Sequence, residues 1–141
     1  MPITYAADPN LTAKEFQEVL VASTLAERRP ADDLERLDKM LRNADVIVTA
    51  RDGDKLVGIS RAITDFSYCC YLSDLAVDTA YQGQGIGKRL IEETHAVAGR
   101  QTSLFLVSAP AAVDYYPKIG MKSFPCYGIK SELSASLPLD K

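Results

Sequence analysis

The chain has 141 residues, of which 47% are hydrophobic and 25% are charged, and its formal net charge is −3. A chain of this size can bury a core without metal or disulfide support. These values therefore predict one domain over residues 1–141 and exclude a disordered chain or a disulfide scaffold. Because affinity for nucleic acid rests on neutralising phosphates, the acidic balance and the lack of a basic cluster argue against a nucleic-acid partner.

Cysteine content and hydropathy indicate the cellular compartment and the relation to membranes. The three cysteines are an odd number without the spacing of metal ligands, which predicts a reducing, cytoplasmic compartment and no metal site. The apolar runs are far shorter than the ~20 residues that cross a bilayer. We therefore expect a soluble protein with no membrane partner.

The first half of the chain predicts one strand, two helices and an antiparallel meander. Thr12 and Glu15 form a capping box that starts the first helix, which should end at Arg28-Arg29-Pro30. The second helix should run from residue 32 or 33 to about residue 43. Strands are expected at residues 3–6, 45–51, 55–64 and 68–77, with a hairpin turn at 52–54.

The second half begins with a glycine-rich loop, which a helix should follow through Ala98, with Gly99 just past its end. A strand is expected at residues 102–108, then a short helix at 111–116 that Pro117 ends, and one or two closing strands up to about Lys130. The element order predicts an α/β fold of the α+β kind. We expect a mixed, largely antiparallel central sheet with helices on both faces.

The segment at residues 82–88 is the most informative about chemistry. Three glycines at alternate positions remove Cβ atoms where the chain turns into a helix, so that successive backbone N–H groups can converge on one anion. The helix N-terminus and the basic pair Lys88 and Arg89 favour the same kind of ligand. The segment therefore predicts a phosphate or pyrophosphate site, although it fits neither the dinucleotide pattern nor the P-loop pattern.

Two signatures resemble those of the GNAT family of N-acetyltransferases. Residues 75–77, Leu-Ala-Val, followed by residues 82–87, Gln-Gly-Gln-Gly-Ile-Gly, are similar to the family's acyl-CoA-binding motif, Gln/Arg-x-x-Gly-x-Gly/Ala after a strand. Residues 115–121, Tyr-Tyr-Pro-Lys-Ile-Gly-Met, are similar to its Phe-Tyr-x-Lys-x-Gly-Phe. The signatures stand in the family's order, and nearly the whole chain matches its order of elements.

The resemblance implies that the strand ending at Val77 splays away from the strand at 102–108 and that the pantetheine arm of acetyl-CoA lies in the gap. Backbone groups of Leu75 and Val77 would pair with pantetheine like a neighbouring strand. The pyrophosphate would lie on the N–H groups of residues 83–88. The cofactor-binding residues implied in this way are Leu75, Ala76, Val77, Gln82, Gly83, Gln84, Gly85, Ile86, Gly87 and Lys88.

The resemblance also implies transfer of the acetyl group to a primary amine by direct attack in a ternary complex. Tyr116 matches the family's general acid, and a phenol of pKa about 10 can protonate a thiolate of similar basicity. Tyr115, beside it, is expected to be a core residue. Tyr71 occupies the position where some relatives carry a glutamate base, so the alternatives for the base are Asp74, Tyr71 and water.

Two questions stay open at the level of sequence. The alternative to an enzyme is a catalytically silent acyl-CoA-binding or interaction protein of the same fold. No motif indicates the acceptor amine, which leaves small molecules, peptides and protein lysines as classes. A homodimer through the C-terminal strands is implied by the family resemblance alone.

Overall fold

The computed structural model of the protein describes residues 2–129 and 131–132. Within them lies one sheet in the order β1-β2-β3-β4-β5, antiparallel except for the parallel pair β4 and β5. The strands are β1 Ile3–Ala7, β2 Val46–Asp52, β3 Lys55–Thr64, β4 Cys69–Val77 and β5 Ser103–Phe105. The helices are α1 Ala13–Ser23, α2 Leu34–Arg42, α3 Ile86–Ala98 and α4 Tyr115–Lys118, with 3-10 turns at Leu25–Arg28, Thr79–Tyr81 and Pro110–Ala112.

Helices cover both faces of the sheet, which confirms the predicted fold class. On one face, α1 and α2 bury a cluster that includes Phe16, Leu20 and Leu37 against Ile59 of β3. On the other face, α3 packs Leu90 and its apolar neighbours on β2 and β3. Burying one such side chain contributes about 1.5–3 kcal/mol, so these two layers hold the sheet in place.

Local sequence signals act where the sequence predicted them. The Thr12 Oγ1 accepts a hydrogen bond from the Glu15 N–H at 3.2 Å, and the Glu15 Oε1 accepts one from the Thr12 N–H at 3.3 Å. Gly53 turns the hairpin between β2 and β3 with a φ of +62°. Gly99 follows the last residue of α3 with a φ of +107°.

The first helix ends earlier than predicted. Thr24 takes a left-handed φ of +72°, which stops α1 at Ser23 and directs the chain into the 3-10 turn Leu25–Arg28. The Ser23 side chain supports this break, because its Oγ donates to the Leu20 carbonyl and accepts from the Leu25 N–H, each at 3.1 Å. The residues from 25 to 29 therefore turn away from the axis of α1, and Arg29 reaches Ser73 and Asp74 of β4.

The predictions were wrong for several elements after α3. The strand predicted at 102–108 is only the three residues of β5, because residues 106–108 leave the sheet. The short helix divides into a 3-10 turn and α4, and Pro117 lies inside α4 instead of ending it. In the first turn of a helix the N–H groups have no partner within the helix, so a proline there costs no hydrogen bond. The closing strands are absent from residues 119–129, and Lys130 lies outside the described residues.

The parallel pairing of β4 with β5 is short. It joins Cys69 to Ser103, Cys70 to Leu104 and Tyr71 to Phe105, and the strands separate from there. Ser73 is an extra residue of β4 just beyond this point, because Arg61 of β3 faces Asp74 whereas the next residue, Ala62, faces Leu72. A bulge of this kind bends a strand and re-aims its side chains.

Candidate active site

A cavity of about 550 Å³ lies in the gap where β4 and β5 have separated. Its walls come from the turn after α1, the second half of β4, the loop before α3 and residues 106–116. The splayed strands implied by the family resemblance are therefore present. The lining includes Glu27, Arg28, Leu75, Val77, Gln82 and Tyr116.

The cavity exposes an unpaired edge of β4. The Asp78 N–H donates to the Val57 carbonyl of β3 at 2.8 Å, whereas the Val77 carbonyl accepts from the Gln82 Nε2 at 3.0 Å. Because backbone groups of successive residues in an antiparallel strand point to opposite sides, those of Leu75 and Val77 face away from β3. Both residues line the cavity, and an extended ligand lying there meets backbone groups that no strand pairs, with the Val77 carbonyl already bonded to Gln82.

Ala76 differs from its two neighbours. It pairs with Ile59 of β3, and its side chain is buried in the core under α1. Its backbone groups are turned toward β3, although the residue contributes to the cavity wall. Of these three residues, only Leu75 and Val77 therefore turn backbone groups toward the cavity, and the pairing with pantetheine that the family resemblance implies for them stays a prediction.

The glycine loop ends on an uncapped helix N-terminus. Gly83 and Gly85 have φ values of +82° and +83°, a conformation that L side chains rarely adopt. Gly85 is the N-cap of α3, and no side chain accepts from the first-turn N–H groups there. Gln84 and its flanking residues are exposed, whereas the Ile86 side chain is buried in the core, so Ile86 offers only its backbone. The loop thus presents unpartnered N–H groups to solvent, which suits an anion.

Two cations occupy the first turn of α3, where the helix dipole disfavours positive charge. Arg89 is already engaged, since its Nε donates to Glu93 at 2.8 Å and its guanidinium lies 4.6 Å from the centre of the Tyr5 ring. Lys88 is exposed and forms no ion pair with another described residue. An anion bound at this N-terminus would relieve the unfavourable placement of Lys88.

Tyr116 is the ionisable side chain of the α4 wall. It is partly buried in the cavity lining, and it contacts the Tyr115 ring edge-on with centroids 5.2 Å apart. Burial raises the pKa of Tyr116, and the neighbouring Tyr115 raises it further. The expectation that Tyr115 is the core residue of the pair was wrong, because Tyr115 is 37% exposed.

Asp74 is fully buried and already committed to two partners. The Nε atoms of Arg29 and Arg61 donate to its two carboxylate oxygens. The same arginines donate to Ser73, Arg29 to its carbonyl at 2.7 Å and Arg61 to its Oγ at 3.0 Å. Asp74 does not line the cavity, so the structure disfavours it as the base.

Tyr71, the second candidate for the base, stacks on Phe105 with ring centroids 5.0 Å apart. Its hydroxyl is buried and has no hydrogen-bond partner among the described residues. Burial raises the pKa of Tyr71 above its usual value of about 10, so the phenol stays protonated near neutral pH. A protonated phenol cannot accept the proton of an amine.

Glu27 and Arg28 are the residues that sequence reasoning missed. They lie on the 3-10 turn Leu25–Arg28 and line the cavity, where Glu27 is exposed and Arg28 is half-buried. Glu27 carries the one carboxylate among the described residues of that lining. The only sequence signal was the basic pair before Pro30, which indicates a helix end and says nothing about which wall the turn would form.

The other ionisable residues that the structure describes give no indication of a second catalytic or metal site. His95 is hydrogen-bonded through Nε2 to the Thr102 carbonyl at 2.8 Å. Within the described ranges, no three residues of the types that bind metals come together, and none of the helices there has the length and apolarity to span a membrane.

An open strand edge that leads to an uncapped, glycine-rich helix N-terminus is the arrangement that the resemblance to GNAT acetyltransferases implies. The protein-family model for the acetyltransferase (GNAT) family matches residues 13–121 of the sequence. The chain therefore belongs to this family.

The curated relatives are acetyltransferases by name. The chain is 37% identical over 78 residues to GCN5-related N-acetyltransferase 2, chloroplastic, of Arabidopsis thaliana, which covers 54% of this chain and 30% of that protein. It is 28% identical over 116 residues to histone acetyltransferase TAP1 of Glycine max, which covers 73% of this chain and 48% of the relative. The chain thus spans less than half the length of the curated relatives it matches.

Solved structures share the fold. A GNAT family acetyltransferase from Streptococcus pneumoniae superposes with a TM-score of 0.75 at 24% identity, over 94% of this chain and 99% of that one. An aminoglycoside acetyltransferase from an uncultured soil metagenomic sample, solved with sisomicin, gives a TM-score of 0.68 at 23% identity, over 94% and 96%. Similarity at this level of sequence identity establishes the fold alone.

We expect Asp74→Asn to lower the free energy of unfolding by about 3–5 kcal/mol, because it leaves two buried guanidinium groups without a counter-charge. The matched control is Asp38→Asn, which removes an exposed ion pair with Arg42 and should cost at most about 1 kcal/mol. Urea unfolding of both variants measures the difference. Equal costs would show that the Asp74 cluster contributes no more than a surface pair.

Proposed function

We propose that the protein transfers an acetyl group from acetyl-CoA to a primary amine by direct attack within a ternary complex. The observation that carries this proposal is the geometry of one cavity. The free edge of β4 runs toward the glycine loop at one end of the cavity, and Tyr116 faces it from α4.

Acetyl-CoA fits the residues that are present. Pantetheine carries two amides, and the cavity-facing backbone groups of Leu75 and Val77 offer both a donor and an acceptor to such a ligand. The pyrophosphate is an anion for the N–H groups between Gly83 and the first turn of α3, with the Lys88 ammonium as the formal charge. The thioester then lies in the cavity between β4 and α4.

Tyr116 is assigned the role of general acid. When the amine nitrogen attacks the thioester carbon, the C–N bond forms and the carbonyl oxygen becomes an oxyanion. Collapse of this intermediate breaks the C–S bond, and the departing thiolate takes a proton from the Tyr116 hydroxyl. The nitrogen, which became cationic when it attacked, loses its extra proton to water, and solvent returns a proton to the phenolate, so that the products are the amide and the free CoA thiol. The raised pKa keeps this phenol protonated until it is needed.

The amine has to be neutral when it attacks, but in solution it is an ammonium ion. Glu27 is assigned the role of attracting this ammonium ion to the cavity. Asp74 is committed to its arginines and Tyr71 stays protonated, so neither takes the amine proton. Glu27 lies exposed in the cavity lining, where it attracts an ammonium ion and where water is at hand to carry away the proton. The acceptor class that follows is a cationic amine.

Binding of acetyl-CoA, measured by calorimetry, tests the glycine loop. We expect Gly85→Ala to raise the dissociation constant of acetyl-CoA about tenfold, because a left-handed alanine costs about 1–2 kcal/mol and disturbs the anion site. The control is Gly53→Ala in the hairpin turn, which also has a positive φ and open space around its Cβ. It should destabilise the fold similarly and leave the dissociation constant unchanged. No binding by the unsubstituted protein would refute the proposal as a whole.

Turnover tests the acid. With a panel of amines as acceptors and release of the free CoA thiol as the readout, Tyr116→Phe should lower kcat about 100-fold or more and leave acetyl-CoA binding intact. Because burial raises the pKa of Tyr116 above its usual value of about 10, ionisation of this acid should reduce kcat only above pH 10. The control is Tyr127→Phe, at a tyrosine that is 94% exposed. Unchanged turnover in Tyr116→Phe would exclude the acid role.

Charge in the cavity lining tests the acceptor class. For an acceptor with two or more ammonium groups, we expect Glu27→Gln to raise KM about tenfold and Arg28→Gln to lower it, since both groups line the cavity and have opposite charge. The control is Glu18→Gln on the exposed side of α1. The effects should shrink at high salt. If Arg28→Gln raised KM and Glu27→Gln did not, the preferred acceptor would be an anionic amine instead.

A further inference from the structure

Gly87 is a glycine for a reason different from that of Gly83 and Gly85. The latter two have left-handed φ values and open space where a Cβ would stand. Gly87 is an ordinary helical residue of α3 with no positive φ, so its backbone tolerates any side chain. A Cβ at Gly87, however, would lie 3.2 Å from the hydroxyl oxygen of Tyr115. The space above Gly87 is filled by Tyr115.

Tyr115 reaches Gly87 from α4, the element that carries Tyr116. Its hydroxyl stands over the first turn of α3, and its ring meets the ring of Tyr116 at an interplanar angle of 75°. Burial raises the pKa of Tyr115, and the nearby Lys88 backbone N–H offsets part of this rise. Tyr115 thus joins the proposed acid to the helix that begins at the anion loop.

The short helix α4 has little else to hold it. It has four residues, none of them fully buried, and the Asp114 side chain makes no capping hydrogen bond. A partly exposed helix of this length is not stable by itself, because helix nucleation is unfavourable. Its orientation must come from side chains that dock on the rest of the fold, and Tyr115 on Gly87 is such a contact.

We propose that Tyr115 is a positioning residue: its hydroxyl docks in the space that Gly87 leaves on α3, and this contact holds α4 so that Tyr116 faces the cavity. The inference rests on the acid role proposed for Tyr116. It goes further by assigning Gly87 to the orientation of the acid, whereas the family resemblance implied cofactor binding for it.

A double-mutant cycle tests the contact. Gly87→Ala pushes on the Tyr115 hydroxyl, and we expect kcat to fall about tenfold while KM for acetyl-CoA changes less than about threefold. Tyr115→Phe removes the oxygen and leaves the ring carbon that bore it as the nearest ring atom, at an ordinary 3.9 Å. In the Tyr115→Phe background, Gly87→Ala should therefore cost less than about threefold in kcat.

The matched control is Gly83→Ala, whose cost comes from its left-handed φ and has nothing to do with Tyr115. Its effect should be the same in both backgrounds. If Gly87→Ala is equally harmful with and without the Tyr115 hydroxyl, the docking contact is refuted. Rescue by Tyr115→Phe together with the split between kcat and KM is the result that supports it.

A second pair of measurements separates this inference from the proposed function. The midpoints of thermal unfolding should show the same rescue when the unsubstituted protein, Gly87→Ala, Tyr115→Phe and the double variant are compared. These midpoints report the contact without any turnover. If Tyr116→Phe leaves kcat unchanged while the rescue of the midpoints is seen, the acid role fails and the contact stands. If Gly87→Ala does not fold, Tyr115→Leu decides: it should lower kcat about tenfold with little effect on acetyl-CoA binding, and unchanged kcat would overturn the proposal.

Discussion

The end of the pairing between β4 and β5 is the feature on which the site depends. Three residue pairs join these strands, and after Tyr71 and Phe105 they separate around a cavity. Just past this point the bulge at Ser73 is held by two arginines that also neutralise the buried Asp74. A buried ion cluster contributes little net stability but defines a geometry. Here it fixes the open edge of β4 against the turn that forms the opposite wall.

The groups that could attract a ligand are concentrated at a few places around the cavity. The net charge of the protein therefore says little about the charge of the ligand. A net charge of −3 is compatible with a pyrophosphate site because backbone N–H groups supply most of the attraction at the start of α3. One exposed lysine, Lys88, adds formal positive charge in the first turn of the same helix. In the cavity lining, Glu27 and Arg28 stand side by side without ion-pair partners in the described part of the chain, so each charge is available to a ligand.

The ionisable groups around the cavity have distinct environments, and these separate their roles. Burial raises the pKa of both Tyr71 and Tyr116, which keeps each a proton donor. Tyr116 alone of the two lines the cavity, on a helix that contacts α3 through its neighbour Tyr115. Asp74 of β4 is fully buried and paired with two arginines, whereas Glu27 is an exposed carboxylate. No residue of β4 is a glutamate, and the carboxylate among the described residues of the cavity lining comes from the turn after α1.

The sequence by itself determined the elements whose signals are local. The capping box at Thr12, the hairpin glycine and the left-handed glycines before α3 each act within a few residues, so pattern and propensity sufficed for the fold class and for the geometry of the glycine loop. Only the tertiary structure decided what depends on distant partners: that residues 106–108 leave the sheet, that Asp74 is taken by two arginines, that Glu27 reaches the cavity, and that Gly87 makes room for Tyr115. Spacing along a chain cannot encode these contacts, because each joins segments whose relative position exists only after the core has packed.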